Sequence, residues 1–232
     1  MRVAQVASSS RRWLGDIPMP ENPISDLFEF LTDPSWPTPI FWALMIASVA
    51  IAGIVWRRRP EQRGFSHLAQ WSFRFVIGGF WWQQTLWKLP PLFAQDPTAP
   101  LTTGLAYWMS QIGKYSAIPL QANVFSHIVL PHFYVFAPMV YAAEVLVGVS
   151  LMLGLFTRLF GLLGALQILN LWLGLYNAPG EWPWTYFFLL VLQLLFAVHC
   201  YGRALGIDAL LPRATQGSPS KGLGGRLLSA VS

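Results

Sequence analysis

The chain reads as long apolar runs separated by short polar stretches, and most of its charges gather in those stretches. Five runs are long enough to cross a bilayer: residues 40–56, 69–89, 133–156, 159–176 and 184–201. The pattern predicts an all-α fold, a polytopic membrane helix bundle. Two further segments read as helices outside the spans. Residues 24–31 are amphipathic and are expected to lie on the outer surface. The connection from 90 to 131 is too long for a passive link, and it holds helical runs at 104–113 and 120–130 that are expected to cap the outer mouth of the bundle.

Charge sets the orientation. The loop after the first span carries Arg57, Arg58, Arg59 and Arg63, the pattern of a cytoplasmic connection. This places the N-terminus outside and the C-terminus inside a bacterial-type cytoplasmic membrane. Arg158, Arg203, Arg213, Lys221 and Arg226 fall on the same inner side, whereas Asp16, Glu21, Asp26, Glu29 and Asp33 precede the first span on the outer side. Trp36, Trp42, Trp87, Trp108, Trp182 and Trp184 would form the outer aromatic belt. The resulting organisation is an extracytoplasmic arm at 1–38, an additional transmembrane helix at 39–57, a four-helix core at 69–211 with its outer loop at 90–131, and a flexible cytoplasmic tail at 212–232.

Composition narrows the class. Charged residues make up 11% of the chain, against about 25% in a soluble domain. The lipid bilayer is therefore the expected partner, together with other integral membrane subunits. A pI of 9.7 does not indicate nucleic acid, because the basic residues flank apolar spans. No signal peptide is expected, since Arg11 and Arg12 precede Pro- and acid-containing sequence instead of an apolar region. Cys200 stands alone, which excludes an internal disulfide, and it reads as a small buried hydrophobe. The chain carries no haem, flavin or metal motif.

Polar groups inside the spans are the candidate chemistry. Glu144 lies mid-span, where a carboxylate is costly and usually faces protein or a wet cavity. It is either a neutral acid bonded to Gln84 or Asn170, or a proton-accepting group. Rise along the helix puts it roughly 15 Å below the outer end of its span, too far from Arg74 for a direct pair. Arg74, Trp81 and Lys88 recur every seven residues on one face. Arg74 reads as a snorkelling or helix-end arginine, and Lys88 and Arg158 as topology anchors. Gly164, Gln167, Asn170, Gly174 and Asn177 form a small-and-polar stripe expected to act as interhelical glue. His199 reads as a packing residue, and His127 and His132 as solvated loop residues.

Three motifs carry a family resemblance. Arg74, Gly78, Gly79 and Phe80, running on to Trp87 and Lys88, resemble the first core helix of the DoxX family. Glu144, Gly148, Gly154, Leu155, Thr157 and Arg158 are similar to its glutamate–glycine–"LGL-T-R" helix. Gly202, Arg203 and Asp208 are similar to its closing signature. The outer loop and Asn170 resemble the DoxD branch, the membrane subunit of thiosulfate:quinone oxidoreductase. The resemblance spans residues 70–211. It implies quinone-linked oxidation of an inorganic sulfur compound: thiosulfate meeting Lys88 and Lys114, quinone held by Trp81, Gln84, Tyr141 and Asn170 with Trp82 beside them, and Glu144 exchanging the proton. Electrons would pass directly or through a partner subunit. A non-catalytic accessory or scaffolding subunit of a respiratory or photosynthetic complex is the alternative.

Overall fold

A computed structural model describes residues 22–95 and 104–211. The start of the N-terminal arm, loop residues 96–103 and the tail expected to be flexible lie outside the described residues. Within them every regular element is helical. In chain order these are α1 (Pro23–Thr32), α2 (Pro37–Arg58), α3 (Phe65–Thr85), α4 (Gly104–Tyr115), α5 (Pro119–Val124), α6 (Phe133–Leu153), α7 (Thr157–Gly174) and α8 (Pro183–Val198).

Local signals set the boundaries. Asn22 caps α1 by accepting from the backbone of Ile24 and Ser25, and the Ser25 hydroxyl in turn accepts from the Asn22 N–H. Pro37, Pro119 and Pro183 open α2, α5 and α8, positions where a missing N–H removes no helical bond. The expected third span runs to 156, but α6 stops at Leu153. Gly154 adopts the left-handed conformation (φ 70°), and its N–H bonds the Ser150 carbonyl, which terminates the helix. Likewise α3 ends at Thr85 and continues only as a 3₁₀ turn, Leu86–Lys88. Both helices expected in the long loop are present, with α5 running into a π-helical turn, Phe125–Val129.

The core is an up-and-down bundle. Trp81 of α3, Val147 and Leu151 of α6, Ile168 of α7 and Phe196 of α8 form its central cluster. Gly78 and Gly148 bring α3 and α6 together so closely that a Cβ on Gly78 would sit 2.8 Å from the Met152 nitrogen. α2 packs outside this core, on α6 and α3. Phe41 joins Trp82 and Met152, and the Ser48 hydroxyl donates to the Met152 carbonyl at 2.6 Å while accepting from Trp71. At one end α4 and α5 form a cap: Leu105, Ala106 and Met109 pack with Phe93 and Val129 against Phe133 and Ala137, at the start of α6. The opposite end carries Arg57, Arg58, Arg59, Arg63, Arg158 and Arg203 and is called the basic end.

Two helices, α2 and α6, are both long and apolar enough to cross a bilayer, with mean hydropathies of 2.1 and 1.8. α8 is apolar but has 16 residues, about 24 Å of rise. Polar groups such as Gln70, Arg74, Gln83 and Gln84 dilute α3, and Arg158, Gln167 and Asn170 dilute α7. The outward faces nonetheless remain oily. Ile46 and Val49 of α2 are 65% and 54% exposed, and Val135, Met139, Leu162, Leu166, Phe188 and Val198 are exposed on α6, α7 and α8. Apolar surface of this extent needs a non-aqueous neighbour. α1 continues the pattern: Phe30 docks on Phe41 while Ile24, Leu27 and Phe28 point away from the protein. Cys200 departs from expectation. It is exposed, because the chain leaves α8 at His199 and turns sharply there.

Candidate functional site

Glu144 is buried, and its partner is Lys88. The ammonium nitrogen lies 2.5 Å from Glu144 Oε2, with both residues 4% exposed. The pair forms because the 3₁₀ turn after α3 directs Lys88 toward α6, which holds Glu144 about three turns from its start. The Gln167 amide, from α7, is the next polar side chain that bears on the carboxylate. Lys88 also sits 4.5 Å from the centre of the Trp87 ring. Next to the pair, Tyr141 is half-buried, close to Thr85 and in ring contact with Phe93 at 6.2 Å. Thr85 donates in turn to the Trp82 carbonyl at 2.7 Å. α3, α6 and α7 thus converge on one closed polar cluster beneath the cap.

As a topology anchor at the outer end of its span, Lys88 is expected above Glu144, which helix rise puts roughly 15 Å below the outer end of its own span. The structure puts them level. The first turns of α6, from Phe133 to Ala137, project past the end of α3 and pack against α4 instead, so the two helix ends are staggered. This stagger carries Glu144 up to Lys88.

The other expected site residues separate. Trp81 is buried in the central cluster, and Trp82 lies under α2. Gln84 is exposed and bonds its neighbours: it donates to Gln83 at 3.0 Å and accepts from Trp87 at 3.3 Å. It does not reach Glu144. Asn170 serves the cap, accepting from Gln121 of α5 through both its side-chain and backbone oxygens, at 2.8 and 2.9 Å. Lys114 is exposed on the last turn of α4 whereas Lys88 is buried, so the two lysines do not form one exposed basic surface. The stripe on α7 acts as glue: Gly164 abuts Gln193 of α8, Gln167 reaches Glu144, Asn170 holds Gln121, and Gly174 abuts Ile112 of α4.

A second charged centre lies at the basic end. Arg74 is fully buried and does not snorkel. Its Nη1 donates to the Leu151 and Met152 carbonyls, the free C-terminal groups of α6. Asp208 accepts from the Phe156 N–H at 2.9 Å and the Thr157 N–H at 3.3 Å, capping α7, and its own N–H donates to the Gly154 carbonyl. The Thr157 hydroxyl accepts from the Gly202 N–H at 2.9 Å, and Gln62 accepts from the Leu205 N–H at 2.9 Å. Burial pushes the Asp208 carboxyl above its ordinary range, against the opposing pull of those donors and of Arg203. Arg74 and Asp208 were each visible as motif residues. Their joint role was not, because it depends on residues 201–209 folding back across the α6–α7 turn.

The DoxX family model matches residues 99–177. The matched region contains α4 to α7, with Tyr141, Glu144, Gln167 and Asn170. α3, with Arg74 and Lys88, and the closing segment with Asp208 lie outside it. DoxX is a membrane-associated family, in keeping with the exposed apolar faces of the bundle. No curated protein and no solved structure is matched by the chain.

Proposed function

We propose that this chain is an integral membrane subunit of a quinone-linked redox complex, with α2, α3, α6, α7 and α8 all crossing the bilayer, the basic end in the cytoplasm and the cap outside. The reading builds on the DoxX match and on one observation above all, the buried Lys88–Glu144 pair under the cap. A carboxylate in that position accepts a proton only by leaving a buried ammonium without its counter-charge, at a cost of several kcal/mol. Proton transfer to Glu144 is therefore coupled to displacement of Lys88 or to loss of its own proton. That coupling suits a step in which a quinone gains or a quinol loses protons together with electrons. Tyr141, beside Thr85 and in contact with Phe93, is the adjacent group able to relay a proton or touch a ring. The sulfur-oxidising chemistry that the DoxD likeness implies takes thiosulfate as the electron donor, with electrons delivered by a partner subunit.

The test is thiosulfate-dependent quinone reduction in membranes containing the full complex. Glu144→Gln is expected to lower the rate per assembled complex about tenfold or more, beyond any loss of assembly that the stranded Lys88 causes. An unchanged rate overturns the assignment of Glu144. The enclosure of Lys88 favours a second reading, a non-catalytic subunit in which the pair only locks α3 to α6. In that case the chain co-purifies stoichiometrically with a larger complex, and loss of the pair changes stability alone.

A further inference from the structure

Between α2 and α3, near the basic end, lies an open apolar groove of about 250 Å³. Val49, Ala52, Gly53 and Trp56 of α2 form one wall, with Leu68 and Trp71 of α3 opposite and Leu205 at the base. The four α2 residues recur at three- and four-residue steps, so the wall is a single helix face. Gly53 opens it, since a Cβ there would meet nothing within 4 Å.

The charge at its end identifies the occupant. Arg57 is one turn beyond Gly53 on the same face, and Arg57 and Arg58 are both exposed. Arg63 folds back on this end, its guanidinium donating to the Trp56 and Arg57 carbonyls at 2.9 and 3.2 Å. It thereby holds a third positive charge at the groove mouth. Glu61 is the one acid of this loop, and it is directed to Arg59 at 3.8 Å. An open apolar groove ending in a cluster of arginines, with an exposed tryptophan at the boundary, is complementary to one molecule class: an anionic phospholipid, an acyl chain along the groove and its phosphate on the arginines.

We propose that this groove is a specific binding site for an anionic phospholipid of the inner leaflet. The inference rests on the membrane-spanning reading of α2 and is independent of redox activity.

The experiment begins with carbonate extraction of membranes, followed by native mass spectrometry of the full-length protein in mild detergent with phosphatidylglycerol or phosphatidylcholine. Retention in the membrane pellet is expected, with one phosphatidylglycerol held in preference to phosphatidylcholine, by roughly fivefold for each arginine engaged. Arg57→Gln/Arg58→Gln should cut the preference to the roughly fivefold that Arg63 alone supports, while leaving a lipid bound. Gly53→Trp should remove the bound lipid altogether. Equal retention of the two lipids by a membrane-integral protein overturns this site alone, as does a preference that Gly53→Trp leaves intact. So does a lipid-free dimer that Gly53→Trp splits, which makes the occupant a second copy. Release by carbonate overturns the spanning reading itself.

Discussion

The seam between α3 and α6 is closed by a buried cation at each end, and the two cations are neutralised in different ways. At the cap end Lys88 meets a full opposite charge, Glu144, on the facing helix. At the basic end Arg74 meets the terminal carbonyls of α6, with Asp208 as the nearby counter-charge. The lysine is a point charge whose needs one carboxylate can meet. The arginine places one nitrogen, Nη1, on two carbonyl oxygens and replaces backbone donors that the helix end lacks. One end is therefore a detachable pair, and the other is part of the bundle's hydrogen-bonding framework.

The largest effect is expected at the framework end. Arg74→Leu leaves the Leu151 and Met152 carbonyls buried without this donor and strips Asp208 of a neighbouring charge. The variant should fail to accumulate as a monodisperse species in detergent, by size-exclusion chromatography of membrane extracts. A well-behaved Arg74→Leu protein would remove the distinction drawn between the two ends.

A mutant cycle at the cap end should give the next largest effect. Lys88→Met or Glu144→Leu alone should each cost about 3–5 kcal/mol, because each strands a buried charge. The double variant should recover most of that loss, since replacing a whole buried pair with apolar groups is often close to neutral. Chemical denaturation in detergent measures all three. Additive losses would mean that the two side chains are not a unit.

The smallest effect concerns pH. With its folded-state value raised, Asp208 retains its proton in the folded protein at pH values where the unfolded chain has lost it. Stability from this group is therefore present below the ordinary aspartate value of about 3.9 and declines as pH rises through the folded value. Thermal melts of the wild type from pH 4 upward should show this decline, and Asp208→Asn should flatten it. The asparagine variant should also lose about 1 kcal/mol at low pH from weaker capping of α7. A slope that persists unchanged in Asp208→Asn would assign it elsewhere.

The sequence carried some parts of this comparison and not others. The helical runs, both cap helices and the glue stripe on α7 were legible, because each is a local pattern of spacing and residue size. The burial of Glu144 was legible from its position within an apolar run. Its pairing with Lys88 was not, because depth counting assumes level helix ends, and the stagger of α6 is set by Phe133 and Ala137 packing on the cap. Asn170 was correctly placed on a packing face, but its partner Gln121 comes from a loop helix whose docking no local pattern encodes. Arg74 was misjudged for a related reason. A long basic side chain near a span end is free to reach water unless something covers it, and the cover is supplied by residues far along the chain, from 201 to 209.

The Ser48 hydroxyl shares the Met152 carbonyl with Arg74. α2 is thus one half of a joint whose other half lies about a hundred residues later in the chain. The joint closes only when α2 presents its Ser48 face to the end of α6. Removing it as a dispensable leader would leave the finished core with an open flank at the very carbonyl where its buried arginine is anchored.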